Sequence, residues 1–177
     1  MLIIKYTWCI KRVSSSEYIY ILPHNVQPDH VLGFLEAIYS LGDSVDPMNL
    51  GDLLGEQVDI LPHVIDVASS LKLIEVKENG NIKLTKLGVE VVKGHVQLVK
   101  SKLRDVIENI EPFKTIINKL KAKKKLTVEE FTEISTRFYP HNTREAINTI
   151  LQWGAFLGLF KMSTDDKYIY LIKKVGK

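Results

Sequence analysis

One cysteine, Cys9, in 177 residues leaves nothing to form an internal disulfide, and it fits a reducing compartment. No apolar run approaches the roughly 20 residues that a membrane-spanning helix needs, so membrane insertion is not expected. Met1–Ile10 is apolar, yet it lacks a basic start and a long apolar core closed by small residues. That argues against a signal peptide and makes a cytoplasmic location the expectation. The five histidines, His24, His30, His63, His95 and His141, are scattered. None has a second ligand at helical spacing, and without a second cysteine a structural zinc site is not expected. Asp43, Asp46 and Asp52 read as turn, cap and surface residues rather than an acid/base pair. No nucleophile, base and oxyanion donor are nominated together. The expectation is a non-enzyme with no cofactor and no metal.

What is present is the composition of a soluble globular domain, 45% apolar and 25% charged. The net charge of +3 is small, but its distribution is lopsided. Residues 1–94 hold eight Lys/Arg against twelve Asp/Glu, a net of −4, and residues 95–177 hold sixteen against nine, a net of +7. Such a split predicts two modules with different surfaces. The expected division is 1–22 as a β-type extension, 23–94 as one unit and 95–177 as another.

In 1–22, MLIIKYTWCIKRV and EYIYIL both read as β, separated by Ser14-Ser15-Ser16. A hairpin, a remnant of an upstream domain and a tail that pairs with a partner all fit. Leu22-Pro23-His24-Asn25 resembles a linker. A helix is then predicted over 28–41, with Pro28 and Asp29 in its first turn, Val31, Leu32, Leu35, Ile38 and Tyr39 inward, and Gly42 at its end. Asp46 and Pro47 open a second helix that buries Leu50, Leu53 and Leu54 and stops at Gly55. Asp59 caps a third, with Ile60, Leu61, Val64, Ile65, Ala68 and Leu71 inward. Two short strands, 73–76 and 82–84, flank the turn residues Glu78-Asn79-Gly80-Asn81. Thr85 caps a short helix ended by Gly94.

The second half repeats this plan without repeating the sequence. A helix over 96–110 places Val99, Leu103, Val106 and Ile110 inward. Pro112 opens another, with Phe113, Ile116, Ile117 and Leu120 inward, and the lysines of 119–125 suit its C-terminus. Thr127-Val-Glu-Glu130 is a capping box for a helix to about 138. Asn142-Thr-Arg-Glu145 has the same form and opens a helix over 143–157, with Ala146, Ile147, Ile150, Leu151, Ala155 and Phe156 inward. A hairpin of 159–162 and 168–172 closes around Thr164-Asp165-Asp166. The fold expected is mainly α (α+β), with two winged-helix-like units, each a helical bundle with a small β-hairpin.

Winged helices place their third helix in the major groove. On the first unit that helix is expected to turn His63, Asp66, Ser70 and Lys72 outward, and its acidity opposes phosphate binding. On the second, Arg144, Asn148 and Gln152 are spaced by four and share one face. Arg reads guanine and Asn or Gln reads adenine in the major groove. Lys123, Lys124, Lys125, Lys161 and Lys167 are candidate phosphate contacts from the preceding turn and the wing. The bland alternative is a solvated polar face beside a cationic helix end, and Asp165 and Asp166 on the wing oppose phosphate. Surplus β sequence at the N-terminus, with Trp8, Tyr18 and Tyr20, suggests strand pairing with a second copy or another subunit.

Pro28-Asp29-His30-Val31 with Gly33-Phe34-Leu35-Glu36 resembles the opening of the AAA-associated C-terminal domain. Leu61-Pro62-His63-Val64, Leu71-Lys72-Leu73-Ile74, the stretch from Gly80 to Gly88, and Trp153-Gly154-Ala155-Phe156-Leu157-Gly158-Leu159-Phe160 continue the likeness over about 23–172. The resemblance implies an accessory domain found after the ATP-binding subunit of nitrate/sulfonate/taurine-type ABC importers, and also as a separate chain, especially in archaea. In the fused form the ATPase carries the chemistry. Here no G-x-x-x-x-G-K-[ST] phosphate loop occurs, since the glycines at 33, 42, 51 and 55 lack its spacing and its ending. The function expected is regulatory or interactive, with an ABC ATPase subunit or a second copy (a homodimer) as partner. The alternative is a DNA-binding transcriptional regulator using helix 143–157.

Overall fold

A computed structural model of the chain describes residues 10–12, 18–42, 44–54 and 59–172. The expectations for Met1–Cys9, Trp8 and Cys9 included, and for Ser14-Ser15-Ser16, Asp43 and Gly55 lie outside them. So do those for the side chains of Tyr18, Asp52, Leu53 and Leu54. The chain divides into two compact units, the first holding the chain up to Ile10 with Val26–Val99 and the second Lys11–Asn25 with Lys100–Lys177.

In the first unit, helix α1 (Pro28–Leu41) starts on its proline, and His30 Nδ1 accepts a hydrogen bond from the Gln27 N–H at 3.2 Å. That bond satisfies one of the donors that a helix start leaves free. Val31, Phe34, Leu35 and Ile38 form its buried stripe. Tyr39, expected inward, is 44% exposed and lies under the Lys93 ammonium, 5.2 Å from the ring centroid. Helix α2 (Pro47–Leu54) begins where Asp46 Oδ1 accepts from the Met48 N–H at 2.9 Å, and it buries Leu50. Helix α3 (Leu61–Ser70) is capped at Ile60 with no side-chain bond, so Asp59 does not serve as its cap. Asp66, expected outward, is only 8% exposed. Strands β3 (Ile74–Val76) and β4 (Ile82–Leu84) pair antiparallel, and Val45, between α1 and α2, bridges to Ile82 on the other side of β4. Thr85 caps helix α4 (Lys86–Lys93) by accepting from the Gly88 N–H. Gly88 is obligatory there, because a Cβ would stand 2.1 Å from the Leu73 carbonyl oxygen.

Helix α5 (Val96–Ile107) contains the division between the units. It is shorter than expected. Val106 is half-buried and Ile107 fully buried, with Ile110 buried in the turn beyond.

Strand β1 (Ile10–Arg12), of which Lys11 and Arg12 belong to the second unit, pairs with β2 (Tyr18–Tyr20) in a two-stranded sheet. The segment after β2 is not a free linker. Leu22 is fully buried, its N–H donates to the Glu111 carbonyl at 3.0 Å, and the Tyr139 hydroxyl donates to its carbonyl at 2.6 Å. Helix α6 (Phe113–Lys123) ends at Lys124, whose positive φ of 68° turns the chain into strand β5 (Lys125–Thr127). The lysine run therefore leaves the helix two residues before the expected Lys125. Helix α7 (Val128–Phe138) opens on the expected box: Thr127 Oγ1 accepts from the Glu130 N–H at 3.2 Å, and Glu130 Oε2 accepts from the Thr127 N–H at 3.1 Å. Helix α8 (Thr143–Phe156) has no such box. Asn142 makes no side-chain cap bond, and the Thr143 hydroxyl donates back to the Tyr139 carbonyl instead. Ala155 is exposed rather than inward, and Thr149, Trp153 and Gly154 complete the buried face. Strands β6 (Phe160–Met162) and β7 (Tyr168–Leu171) pair antiparallel, and β5 adds to the far side of β7, giving the order β5-β7-β6. Phe160 sits against Phe113 and Phe131, with ring centroids at 6.1 and 6.2 Å.

Mainly α with small antiparallel sheets is thus the fold class. Both units follow one order: helix, a short extended piece, two helices and a hairpin whose second strand pairs with that extended piece.

Candidate functional site

Helix α8 buries Ala146, Thr149, Ile150 and Trp153 along one face. The 3.6-residue period then turns Arg144, Asn148 and Gln152 together to the opposite side, where all three are exposed. Glu145 on the same helix lies 3.2 Å from His24 Nε2. The C-terminus of α8 is held by Arg104, whose Nε donates to the Leu157 carbonyl at 3.0 Å; a guanidinium there also suits the negative end of the helix dipole.

The lysines proposed beside this helix are exposed, but they are not equivalent. Lys123 is ion-paired with Glu130. That ammonium, followed by the Thr127 N–H, holds the Glu130 carboxyl below the usual carboxylate range. Lys124 serves as the left-handed cap of α6, its N–H donating to the Leu120 carbonyl at 2.8 Å. Lys125 and Lys161 stand on the two outer strands of the sheet, both directly opposite Tyr170 of the central strand. The Lys125 ammonium lies 3.7 Å from the Tyr168 ring centroid and that of Lys161 5.4 Å from the Tyr170 centroid, within cation–π range. Lys167 closes the β6–β7 turn through its N–H, which donates to Ser163 Oγ at 3.2 Å. In the same turn the Ser163 hydroxyl donates to Asp165 and holds its carboxyl below the usual range.

Two arrays therefore exist on the second unit, a polar row on α8 and a lysine–tyrosine row on the sheet. The tyrosines were the part missed in the sequence. The alternation Tyr168-Ile169-Tyr170 carried the signal, because a buried Ile169 puts both tyrosines on the other face of the strand. A second missed feature lies on the first unit. The large apolar residues exposed among the described residues are Tyr39, Leu41, Met48, Val76 and Leu98, and all belong to Val26–Val99. Among the described residues no cluster of three or more His, Cys, Asp or Glu side chains could hold a metal ion, and no helix is long and apolar enough to cross a membrane.

The fold and these surfaces define a two-unit, mainly helical protein. The model of the C-terminal AAA-associated domain matches residues 48–163, and the chain belongs to that family. The match begins in α2 and ends just after β6, so it spans parts of both units. No curated protein and no solved structure matches the chain.

Proposed function

We propose that the chain is a non-enzymatic accessory module, acting in the cytoplasm, that docks through its first unit on the ATP-binding subunit of an ABC-type transporter. The observation that carries this reading is that the large apolar residues exposed among the described residues all belong to Val26–Val99, with Met48 80% exposed. Contiguous exposed apolar surface marks a protein contact, and these side chains are the ones the first unit offers for it. Family membership supports the accessory role, and the sequence offers no phosphate loop of its own. Co-expression with ABC-type ATPase subunits, followed by copurification, tests the proposal. Met48→Glu with Val76→Lys should abolish capture while Arg144→Ala leaves it intact. Capture that survives the double variant overturns the docking face, and absence of capture by any such subunit overturns the partner class.

A second reading has its own support. We propose each unit to be a winged helix, α8 being the third helix of the second. Arg144, Asn148 and Gln152 are then presented as a duplex reader would present them. The Lys123–Glu130 pair and the acidic turn at Asp165 and Asp166 weigh against it. Duplex binding that falls steeply with salt and weakens in Arg144→Ala and Asn148→Ala supports this regulator reading, and no binding at low salt removes it.

A further inference from the structure

The outer face of the β5-β7-β6 sheet is built from polar and aromatic residues in register. Lys125, Tyr170 and Lys161 form one cross-strand row, and Thr127 and Tyr168 stand opposite one another in the next row toward the β6–β7 turn. The inner face is apolar, with Leu126, Phe160 and Ile169 buried. A strand's period of two forces this division, so the burial of Ile169 turns both tyrosines outward. Along β7 their spacing is about 6.8 Å. Each ring is only partly covered, and each has a lysine ammonium from a neighbouring strand beside it.

We propose that this sheet face binds single-stranded nucleic acid, with bases stacked on Tyr168 and Tyr170 and phosphates held by Lys125 and Lys161. Stacking accounts for aromatics at the centre of a cationic row, where a site for acidic peptide would gain more from further cations. It also selects unpaired strands, because only an unstacked base exposes its ring face. A base arriving on Tyr168 displaces the Lys125 ammonium, which moves to the adjoining phosphate and keeps a counter-charge. Asp165 and Asp166 sit at the turn end of the sheet and repel phosphate there. The phosphates therefore follow the Lys161–Tyr170–Lys125 row, and the base on Tyr168 is the one nearest the turn. Neither the exposed apolar residues of the first unit nor the α8 row takes part in the site.

Fluorescence anisotropy of the full chain with labelled oligo(dT) and oligo(U) 12-mers, a matched duplex and polyglutamate tests the proposal. Binding of both single strands is expected, with the duplex and polyglutamate at least tenfold weaker. Tyr170→Val keeps a strand-forming residue yet removes the ring, and it should weaken binding about tenfold, whereas Tyr170→Phe retains it. Lys125→Ala with Lys161→Ala should reduce the slope of log K against log salt by about 1.4. Arg144→Ala should leave single-strand binding unchanged. Circular dichroism matching the parent confirms that each variant is folded. Absence of binding at 50 mM salt overturns the site, as does equal binding by folded Tyr170→Val. Duplex or polyglutamate bound as tightly as oligo(dT) overturns it as well, and makes the face a general cation surface.

Discussion

The two units share an order of elements and differ in almost everything that solvent sees. Val26–Val99 carries eleven acidic against five basic residues, a net of −6, and holds the exposed large apolar side chains found among the described residues. The second unit carries eighteen basic against ten acidic residues, a net of +8. Lysines lie over aromatic rings in both units, Lys93 over Tyr39 in the first and Lys125 and Lys161 over Tyr168 and Tyr170 in the second, but only in the second do they form a row on a sheet. Sheet content differs too. Where the first unit has a single bridge at Val45, the second has the full strand β5. One plan has thus been given an apolar, acidic surface in one copy and a cationic, aromatic one in the other.

The largest expected difference between the two units lies in their cores. Phe34 and Phe160 are both fully buried. Truncating either to alanine should cost about 3–5 kcal/mol. Phe160 also has two ring partners, so its loss should be the larger by about 0.5–1.5 kcal/mol for each pair removed. Urea unfolding of both variants decides the point, and equal losses would mean that the aromatic cluster adds nothing beyond burial.

A smaller and more pointed contrast uses helical glycines. A Cβ on Gly154 in α8 would stand 2.3 Å from the Phe160 ring, which is itself held between Phe113 and Phe131. Gly154→Ala should destabilise by about 1–3 kcal/mol. Gly33 lies mid-helix in α1 with nothing within 4 Å of such a Cβ. Gly33→Ala should stabilise by about 0.5–1 kcal/mol, because it removes unfolded-chain entropy and improves helix propensity. Opposite signs of the shift in denaturation midpoint are expected. The same sign for both would show that Phe160 moves aside.

The helices were legible in the sequence because a 3.6-residue apolar period and Pro, Gly and Thr signals at their ends are local information. The Thr127-to-Glu130 box forms as its spacing implies. The similar Asn142-to-Glu145 pattern does not, because Thr143 bonds back to Tyr139 and Glu145 meets His24 from a distant segment. Nothing local foretells that competition. Strand β5 was hidden because three lysines in a row read as a solvated helix end, and only pairing with β7 makes Lys125 extended. Asp66 and Tyr39 were misplaced for a related reason, since burial at the rim of a helix face depends on neighbours supplied by other elements. Of the site, the α8 row was readable from spacing alone. The lysine–tyrosine row was not, because its members come from three strands.

The smallest expected effect concerns acid. Glu130 of the second unit is bonded to Lys123 and to the Thr127 N–H, and both hold its carboxyl below the usual range. Glu129 is held low by its own N–H and by Thr127, and Asp165 by Ser163. A carboxyl whose folded pKa lies below its unfolded value binds its proton more readily in the unfolded chain. Its contribution to stability is therefore complete above the unfolded value, near 4.3 for glutamate, and is lost as pH falls through the folded value. These groups are open to solvent, so the effect should be modest and should shrink with added salt. Trp153, fully buried in the second unit, reports the change by fluorescence in a Trp8→Phe background. The thermal midpoint seen by Trp153 should fall as pH is lowered from 6 to 3, and Glu130→Gln should flatten that dependence while leaving an amide oxygen to accept from the Thr127 N–H. Unchanged pH dependence in Glu130→Gln would place the acid sensitivity of the second unit elsewhere than at the capping box.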